Sequence, residues 1–453
     1  MANHVVALLL PATKHNENRP LKMTLKSLFT VALTLFASQA ALAAPQIEHW
    51  VSPTGARVYF VESTVLPILD VEVDFAAGSM FDPEGKSGLA AMTRGALDLG
   101  AGKRDETAIA EQLADIGAHI GGGADTDRAS IGLRTLSTKD KRDTALSILK
   151  DILQAPIFEA SIFEREKTRT ITGLKEAMTR PDSIAGKAFW AAMYPQHPYG
   201  QQATPESIGT LTRDDLSAFY QRYYTAANAT ITLVGNISRK EAEKIAENLS
   251  ANLPKGEAAT LPAPPTQAKG ETIKLPHPAS QAHIYIGLAS IERGNADYFP
   301  MLVGNYTLGG GGFVSRLMKE VRDKRGYAYS VYSYTAPLKQ AGPFQIGLQT
   351  KRSQAQDAIK VARDVLEGFL KDGPSEEELI AAKANLTGSF PLRLDSNKKL
   401  LANVAAIGFY QLPLDYLDQY QAKVEAVTAD EIKQAFARHV RMEDLITVTV
   451  AAD

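Results

Sequence analysis

Apolar residues recur three and four positions apart at Leu146, Leu149 and Leu153, and again at Ile359, Ala362 and Leu366. Each set predicts one buried face of an amphipathic helix. Strict alternation through Leu69-Asp70-Val71-Glu72-Val73-Asp74-Phe75 predicts a half-buried strand, and His283-Ile284-Tyr285-Ile286-Gly287-Leu288 predicts its counterpart. On the first of these, Asp70, Glu72 and Asp74 read as a solvated sheet face, or as acidic groups that bias a binding chamber toward basic peptides.

The same patterns occur twice. Thr212-Arg213-Asp214-Asp215-Leu216 precedes an apolar-periodic helix and the strand Ala229-Thr230-Ile231-Thr232-Leu233-Val234. About 216 residues later, Thr428-Ala429-Asp430-Glu431-Ile432 precedes a similar helix and Leu445-Ile446-Thr447-Val448-Thr449-Val450. In both, threonine predicts an N-cap, and the acids of the first turn complement the helix dipole. Between the copies, Leu261-Pro262-Ala263-Pro264-Pro265-Thr266 has the composition of a linker, because proline stiffens the chain and cannot donate to a ladder. The predicted fold class is therefore α+β: two homologous tandem α/β-sandwich domains with mostly antiparallel sheets flanked by helices. The expected boundaries are 44–253 for the first domain, 254–269 for the linker and 270–453 for the second.

The N-terminal residues carry a different pattern. Met23-Thr24-Leu25-Lys26, an apolar run from Leu28 to Ala37 and the small-x-small site Ala41-Leu42-Ala43 predict a secretory signal over residues 1–43. Residues 1–22 read as an upstream extension, since Met23 opens a complete signal. The apolar run is too short to span ~30 Å of hydrocarbon, so no stable membrane insertion is expected. The expected location is the periplasm of a Gram-negative bacterium.

Composition narrows the chemistry. The chain has 453 residues, 49 basic and 51 acidic side chains, and no cysteine. Near-neutral charge gives no basic footprint for nucleic acid. Without cysteine there is no thiol catalysis, disulfide or Cys-ligated zinc. His49, His119, His197, His277, His283 and His439 follow the signal; no two share a helical i, i+3 or i, i+4 spacing, and none belongs to H-E-x-x-H or H-x-x-E-H.

One stretch is more specific. Gly309-Gly310-Gly311-Gly312-Phe313-Val314-Ser315-Arg316-Leu317-Met318-Lys319-Glu320-Val321-Arg322-Asp323-Lys324-Arg325-Gly326-Tyr327-Ala328-Tyr329-Ser330 predicts a Gly-rich turn, a helix and a strand. Val314, Leu317 and Val321 form the expected apolar face, and Gly326 the C-cap. A phosphate loop fails here, because no Lys-Ser/Thr follows and the third dinucleotide glycine is missing. A steric role is expected for the glycines.

This stretch resembles the second-half signature of the M16 zinc peptidases, the pitrilysin and mitochondrial-processing-peptidase-like family, and the resemblance runs through nearly the whole chain after the signal. It implies the duplicated M16 fold. It also implies that Arg322 and Tyr329, at the family's spacing, complete an active site built mainly in the other half: tyrosine donates to a developing oxyanion and arginine holds a substrate carbonyl. Without that resemblance, Arg322 reads as a solvated helix charge and Tyr329 as a strand aromatic.

Catalytic members carry H-x-x-E-H after a Gly-Ser-x-x-Asp/Glu-Pro stretch, and here Gly78-Ser79-Met80-Phe81-Asp82-Pro83 supplies the stretch. Ala91 and Gly95 then stand at the histidine positions and Arg94 at the glutamate position, while Thr172 or Gly173 stands where the distal glutamate belongs. None of these can ligate as the family's residues do, and Arg94 adds a positive charge where a dication would sit. The chain is expected to bind no metal and to hydrolyse no peptide alone. The resemblance implies a zinc-less subunit of a heterodimeric peptidase, with zinc and H-x-x-E-H in the partner and peptides or unfolded polypeptides as substrate. A catalytically inactive scaffold and a homodimeric peptide-binding protein remain the alternatives. Gly121, Gly122 and Gly123 lie where catalytic members approach substrate, or else form an unremarkable loop.

Overall fold

The computed structural model describes residues 46–451; the expected signal at 1–43 lies outside the described residues. Strands β1 (Glu48–Val51), β2 (Arg57–Glu62) and β3 (Ile68–Phe75) are followed by a two-residue hairpin, β4 (Gly100–Ala101) and β5 (Arg104–Asp105). Then come β6 (His119–Ala124), β7 (Ala129–Leu136) and β8 (Ala229–Gly235). The first sheet has the order β1-β2-β8-β3-β7-β6. Strands β9 (Thr272–Pro276), β10 (Gln281–Ala289), β11 (Ala328–Thr335), β12 (Pro343–Lys351) and β13 (Ile446–Ala451) form the second, in the order β11-β12-β10-β13-β9.

The two orders correspond strand for strand. With β1 set aside, β2, β8, β3, β7 and β6 match β9, β13, β10, β12 and β11. Each sheet has one parallel pair, β2 with β8 and β9 with β13, among otherwise antiparallel ladders. The repeated helix starts also behave alike. Thr212 accepts from the Asp215 amide at 3.2 Å while Asp215 accepts from the Thr212 amide at 2.9 Å. Thr428 and Glu431 form the same reciprocal pair at 3.2 and 2.8 Å. Each helix is followed, after a short 3-10 turn, by a buried strand, as the pattern predicts.

The halves cover one another. Helix Pro181–Met193 of the first half packs on β10 and β13, and helix Asn397–Tyr410 of the second packs on β3 and β8. The centre of the first sheet is thereby covered on this face as well, which explains why every position of β8 is buried. It also corrects the reading of β3 as half-solvated. Asp70 and Asp74 are buried. Asp70 takes a two-pronged contact from Arg134, Nε at 2.7 Å and Nη2 at 2.9 Å. Asp74 accepts from Arg128 at 3.1 Å, and the Arg128 guanidinium lies 5.4 Å from the Phe409 ring centre on the covering helix. Burial pushes the Asp74 carboxyl well above the usual carboxylate range, against the opposing pull of Arg128.

A buried polar network crosses the seam between halves. Asp127 accepts from the Tyr199 hydroxyl at 2.6 Å, the Lys339 amide at 2.8 Å and the Tyr410 hydroxyl at 2.9 Å. Gln340 donates its amide to the Tyr199 oxygen at 3.1 Å and its side chain to the Pro262 carbonyl at 2.6 Å, which ties the Pro-rich segment into the same network. Among the described residues no helix is long and apolar enough to cross a membrane.

Candidate functional site

Helix Leu89–Ala96 carries the positions of the expected metal motif, and Asp82 sets its start. The Asp82 carboxylate accepts from the Gly88 amide through Oδ2 and from the Ala90 amide through Oδ1, both at 2.7 Å. These bonds satisfy amides that a helix start leaves orphaned. Burial raises the Asp82 pKa to about 6, partly offset by the two amides. Leu89, Ala90, Met92, Thr93, Arg94 and Ala96 face inward, leaving Ala91 and Gly95 exposed on the outer side, one turn apart.

Arg94 is only 4 % exposed. Its Nε donates to the Ser130 carbonyl at 2.6 Å, its Nη2 to the Gly121 carbonyl at 2.7 Å, and its Nη1 stands 3.5 Å from Asp98. The side chain is committed to joining the helix to β6 and β7. Gly121, Gly122 and Gly123 form regular antiparallel pairs with Gly132, Ile131 and Ser130, so they are strand rather than loop. Since β6 ends the sheet, its outer edge is unpaired among the described strands. Gly122 has φ +115°, and a Cβ there would stand 2.2 Å from the Ser130 carbonyl oxygen and 3.1 Å from Arg94 Nη2. The glycine makes room for the arginine.

These residues do not fit a zinc ion. Ala91 and Gly95 offer no donor atom, and Thr172 and Gly173 are exposed on helix Ala160–Ala177 without a carboxylate between them. That helix does lie beside the motif helix, with the Thr170 hydroxyl 3.4 Å from Met92 Sδ. Among the described residues no three histidine, aspartate or glutamate side chains gather closely enough to hold a metal. Several histidines are engaged in packing: His49 stacks on Tyr59, His197 contacts Gln340 at 2.6 Å, and His439 contacts Asp297 at 2.7 Å.

Arg322 and Tyr329, seven residues apart in sequence, come together at the edge of the second sheet. The segment Met318–Asp323 is π-helical, with the Lys324 amide reaching the Lys319 carbonyl at 3.0 Å. It ends as expected at Gly326, which has φ +63° and lets the Tyr327 amide reach back to the Val321 carbonyl at 3.0 Å. On β11, Ala328 pairs with Thr350 but Val331 pairs with Leu348, so Tyr329 and Ser330 together oppose Gln349. This bulge turns both side chains outward, and Tyr329 is 86 % exposed. The Arg322 guanidinium lies 5.0 Å from the Tyr329 ring centre.

The Gly-rich segment differs from its expected form, since Gly309 and Gly310 end the π-helical stretch Tyr306–Gly310 rather than forming a turn. Leu317 and Val321 are fully buried, but Val314 is 55 % exposed, because Gly312–Val314 is a separate 3-10 turn. Ser315 closes that turn by donating its amide and hydroxyl to the Gly312 carbonyl at 3.0 and 2.7 Å. Gly309 has the steric role expected: a Cβ there would meet the Ser333 amide nitrogen and hydroxyl at 2.5 Å. Phe313, which the apolar stripe does not single out, is 70 % exposed with its ring centre 4.8 Å from the Arg322 guanidinium. The signal in the sequence is a large aromatic directly after a run of glycines. A cavity of about 780 Å³ is lined by Lys319, Glu320, Arg325, Asp364 and Glu378 among others, and includes neither Arg94, Arg322 nor Tyr329.

Comparison with known proteins accounts for the duplication. Residues 57–205 match the family model "Insulinase (Peptidase family M16)" and residues 210–386 match "Peptidase M16 inactive domain". A crystal structure of a peptidase M16 inactive domain from Pseudomonas fluorescens is 36% identical, covering 90% of this chain and 98% of that one with a TM-score of 0.86. The chain belongs to the M16 peptidase family. Another M16 relative, named non-peptidase homolog YmxG in Helicobacter pylori, is 26% identical over 94% of this chain and 98% of its own length. The fold is shared by the periplasmic protease PqqL of Escherichia coli, with TM-score 0.77 at 15% identity over 91% of this chain and 46% of that one. In this M16 chain the outer face of the motif helix thus carries Ala91 and Gly95, and Arg94 is turned inward.

Proposed function

We propose that this chain is the zinc-less subunit of a heterodimeric M16 metallopeptidase, acting on peptides or unfolded polypeptides. The partner subunit carries the H-x-x-E-H site and its zinc; this chain binds none and lends Arg322 and Tyr329. One observation carries the reading. Half-buried Arg322 and exposed Tyr329 lie side by side, and among the described residues the Arg322 side chain makes no ion pair or hydrogen bond. A guanidinium with free N–H groups can hold a substrate carbonyl, and an adjacent phenol can donate to the oxygen that gains charge as the carbonyl becomes tetrahedral. Neither side chain's polar atoms have a hydrogen-bonding or ionic partner among the described residues. The unpaired edge of β6 at Gly121–Gly123 suits an extended peptide, which would add as a further strand through main-chain bonds.

Export by the N-terminal signal would place this activity in the periplasm, with neither nucleic acid nor membrane insertion involved. A second reading, a catalytically inactive scaffold or peptide-binding protein, is favoured by the Helicobacter pylori relative's name as a non-peptidase homolog. The two are separated by mixing the purified chain with an H-x-x-E-H M16 subunit from the same source and following a quenched peptide. Cleavage by the mixture alone, lost with Tyr329→Phe, supports the heterodimer; a zinc-bearing subunit equally fast without this chain supports the scaffold.

A further inference from the structure

We infer that Phe313 is a positioning residue for Arg322, a role that rests on the two-subunit reading above. The Arg322 guanidinium lies over two aromatic rings, Phe313 at 4.8 Å and Tyr329 at 5.0 Å, with no polar or ionic partner among the described residues. A ring face attracts the cation through its quadrupole without serving as a conventional hydrogen-bond acceptor, so these contacts leave the N–H groups available. An arginine held by carboxylates would have spent them. The rings therefore restrict a long, rotamer-rich side chain without occupying the donors that a substrate carbonyl needs.

The backbone around Phe313 is built to hold it outside the core. Gly312 takes φ +60°, a left-handed conformation that glycine adopts without strain. On one side Gly311 packs so closely that a Cβ would meet the Tyr306 carbonyl oxygen at 2.8 Å. On the other, fully buried Ser315 locks the turn through its two bonds to Gly312. An exposed phenylalanine on an anchored turn contributes little to the hydrophobic core, and the Arg322 contact is what its placement achieves. The bulge at Tyr329 and the turn at Gly312 thus aim two rings at one guanidinium from separate segments.

The test uses the complex of this chain with a zinc-bearing M16 subunit and a quenched peptide. Phe313→Leu keeps an apolar side chain but removes the π face, and is expected to lower kcat roughly 3- to 10-fold with a smaller change in KM. Phe313→Tyr should restore the wild-type rate. In an Arg322→Ala background, Phe313→Leu should have no further effect. Independently of turnover, the Arg322 Nε–H resonance of the isolated chain should sit upfield from ring currents and move downfield in Phe313→Leu. If Arg322→Ala slows turnover while Phe313→Leu does not, or if the two effects add, only the positioning role is overturned. If Arg322→Ala leaves turnover intact, the two-subunit reading fails and the positioning role with it.

Discussion

Arg94 donates from Nη2 to the carbonyl of Gly121 at 2.7 Å, joining helix Leu89–Ala96 to the edge strand of the first sheet. A second bond, from Nε to Ser130, doubles the link. The Arg94 side chain is a structural tie. Gly122, with no side chain to obstruct the guanidinium, is its complement.

Breaking this tie should be costly. Arg94→Ala removes the side-chain donors to two carbonyls and opens space in the core, so a loss of roughly 2–4 kcal/mol in unfolding free energy is expected. Arg94→Glu should be worse, because a carboxylate would face two carbonyl oxygens. Urea titrations would rank the variants, and equal midpoints for wild type and Arg94→Glu would refute the structural role.

The exposed pair should show the opposite profile. Tyr329 projects from a bulge into solvent, so Tyr329→Phe should change stability by no more than ~0.5 kcal/mol. In the two-subunit assay the same substitution removes one donor to a developing oxyanion, and a fall in kcat on the order of 10²–10³ is expected. A stability loss large enough to explain the activity loss would argue against the chemical role.

The seam between halves offers a coupling test. Tyr199, from the first half, and Tyr410, from the second, both donate to Asp127. A double-mutant cycle of Tyr199→Phe and Tyr410→Phe should give a coupling energy in the range of about 0.5–3 kcal/mol, because each hydroxyl compensates the same buried carboxylate. Strict additivity would mean that the two donors do not share it.

Stability should also respond to pH through Asp82. Its pKa, raised to about 6, lies above that of the unfolded chain, so the folded state binds the proton more tightly. This favours folding fully below the unfolded value of ~3.9 and is lost as pH rises through about 6, an upper bound of about 3 kcal/mol. Asp74, Glu72 and Asp127, also raised by burial, act with the same sign. Unfolding free energy measured in steps from pH 4 to 7 should fall less steeply for Asp82→Asn than for wild type; parallel curves would exclude the assignment.

Local signals carried much of the fold. The N-cap threonines Thr212 and Thr428, the apolar faces of two long helices and the strands that follow were all legible, because capping and periodicity depend on neighbours a few residues away. Repetition at a fixed offset then implied one topology used twice, and the matching strand orders have that form. The absence of ligating side chains at residues 91 and 95 was equally a property of the sequence.

What sequence alone could not decide were the relations between distant segments. Alternation in β3 looked like one wet face, but helix Asn397–Tyr410 covers it, and Asp74 is buried beside Arg128 as a result. Val314 fell on the predicted stripe yet lies outside, since Ser315 closes a turn before the helix begins. Arg94 could be read as a charge opposing a metal, and only the folded chain turns it toward the carbonyls of Gly121 and Ser130. Phe313 and Arg322 meet for the same reason: a left-handed glycine and a sheet-edge bulge aim side chains through space, and no local periodicity encodes where such aims converge.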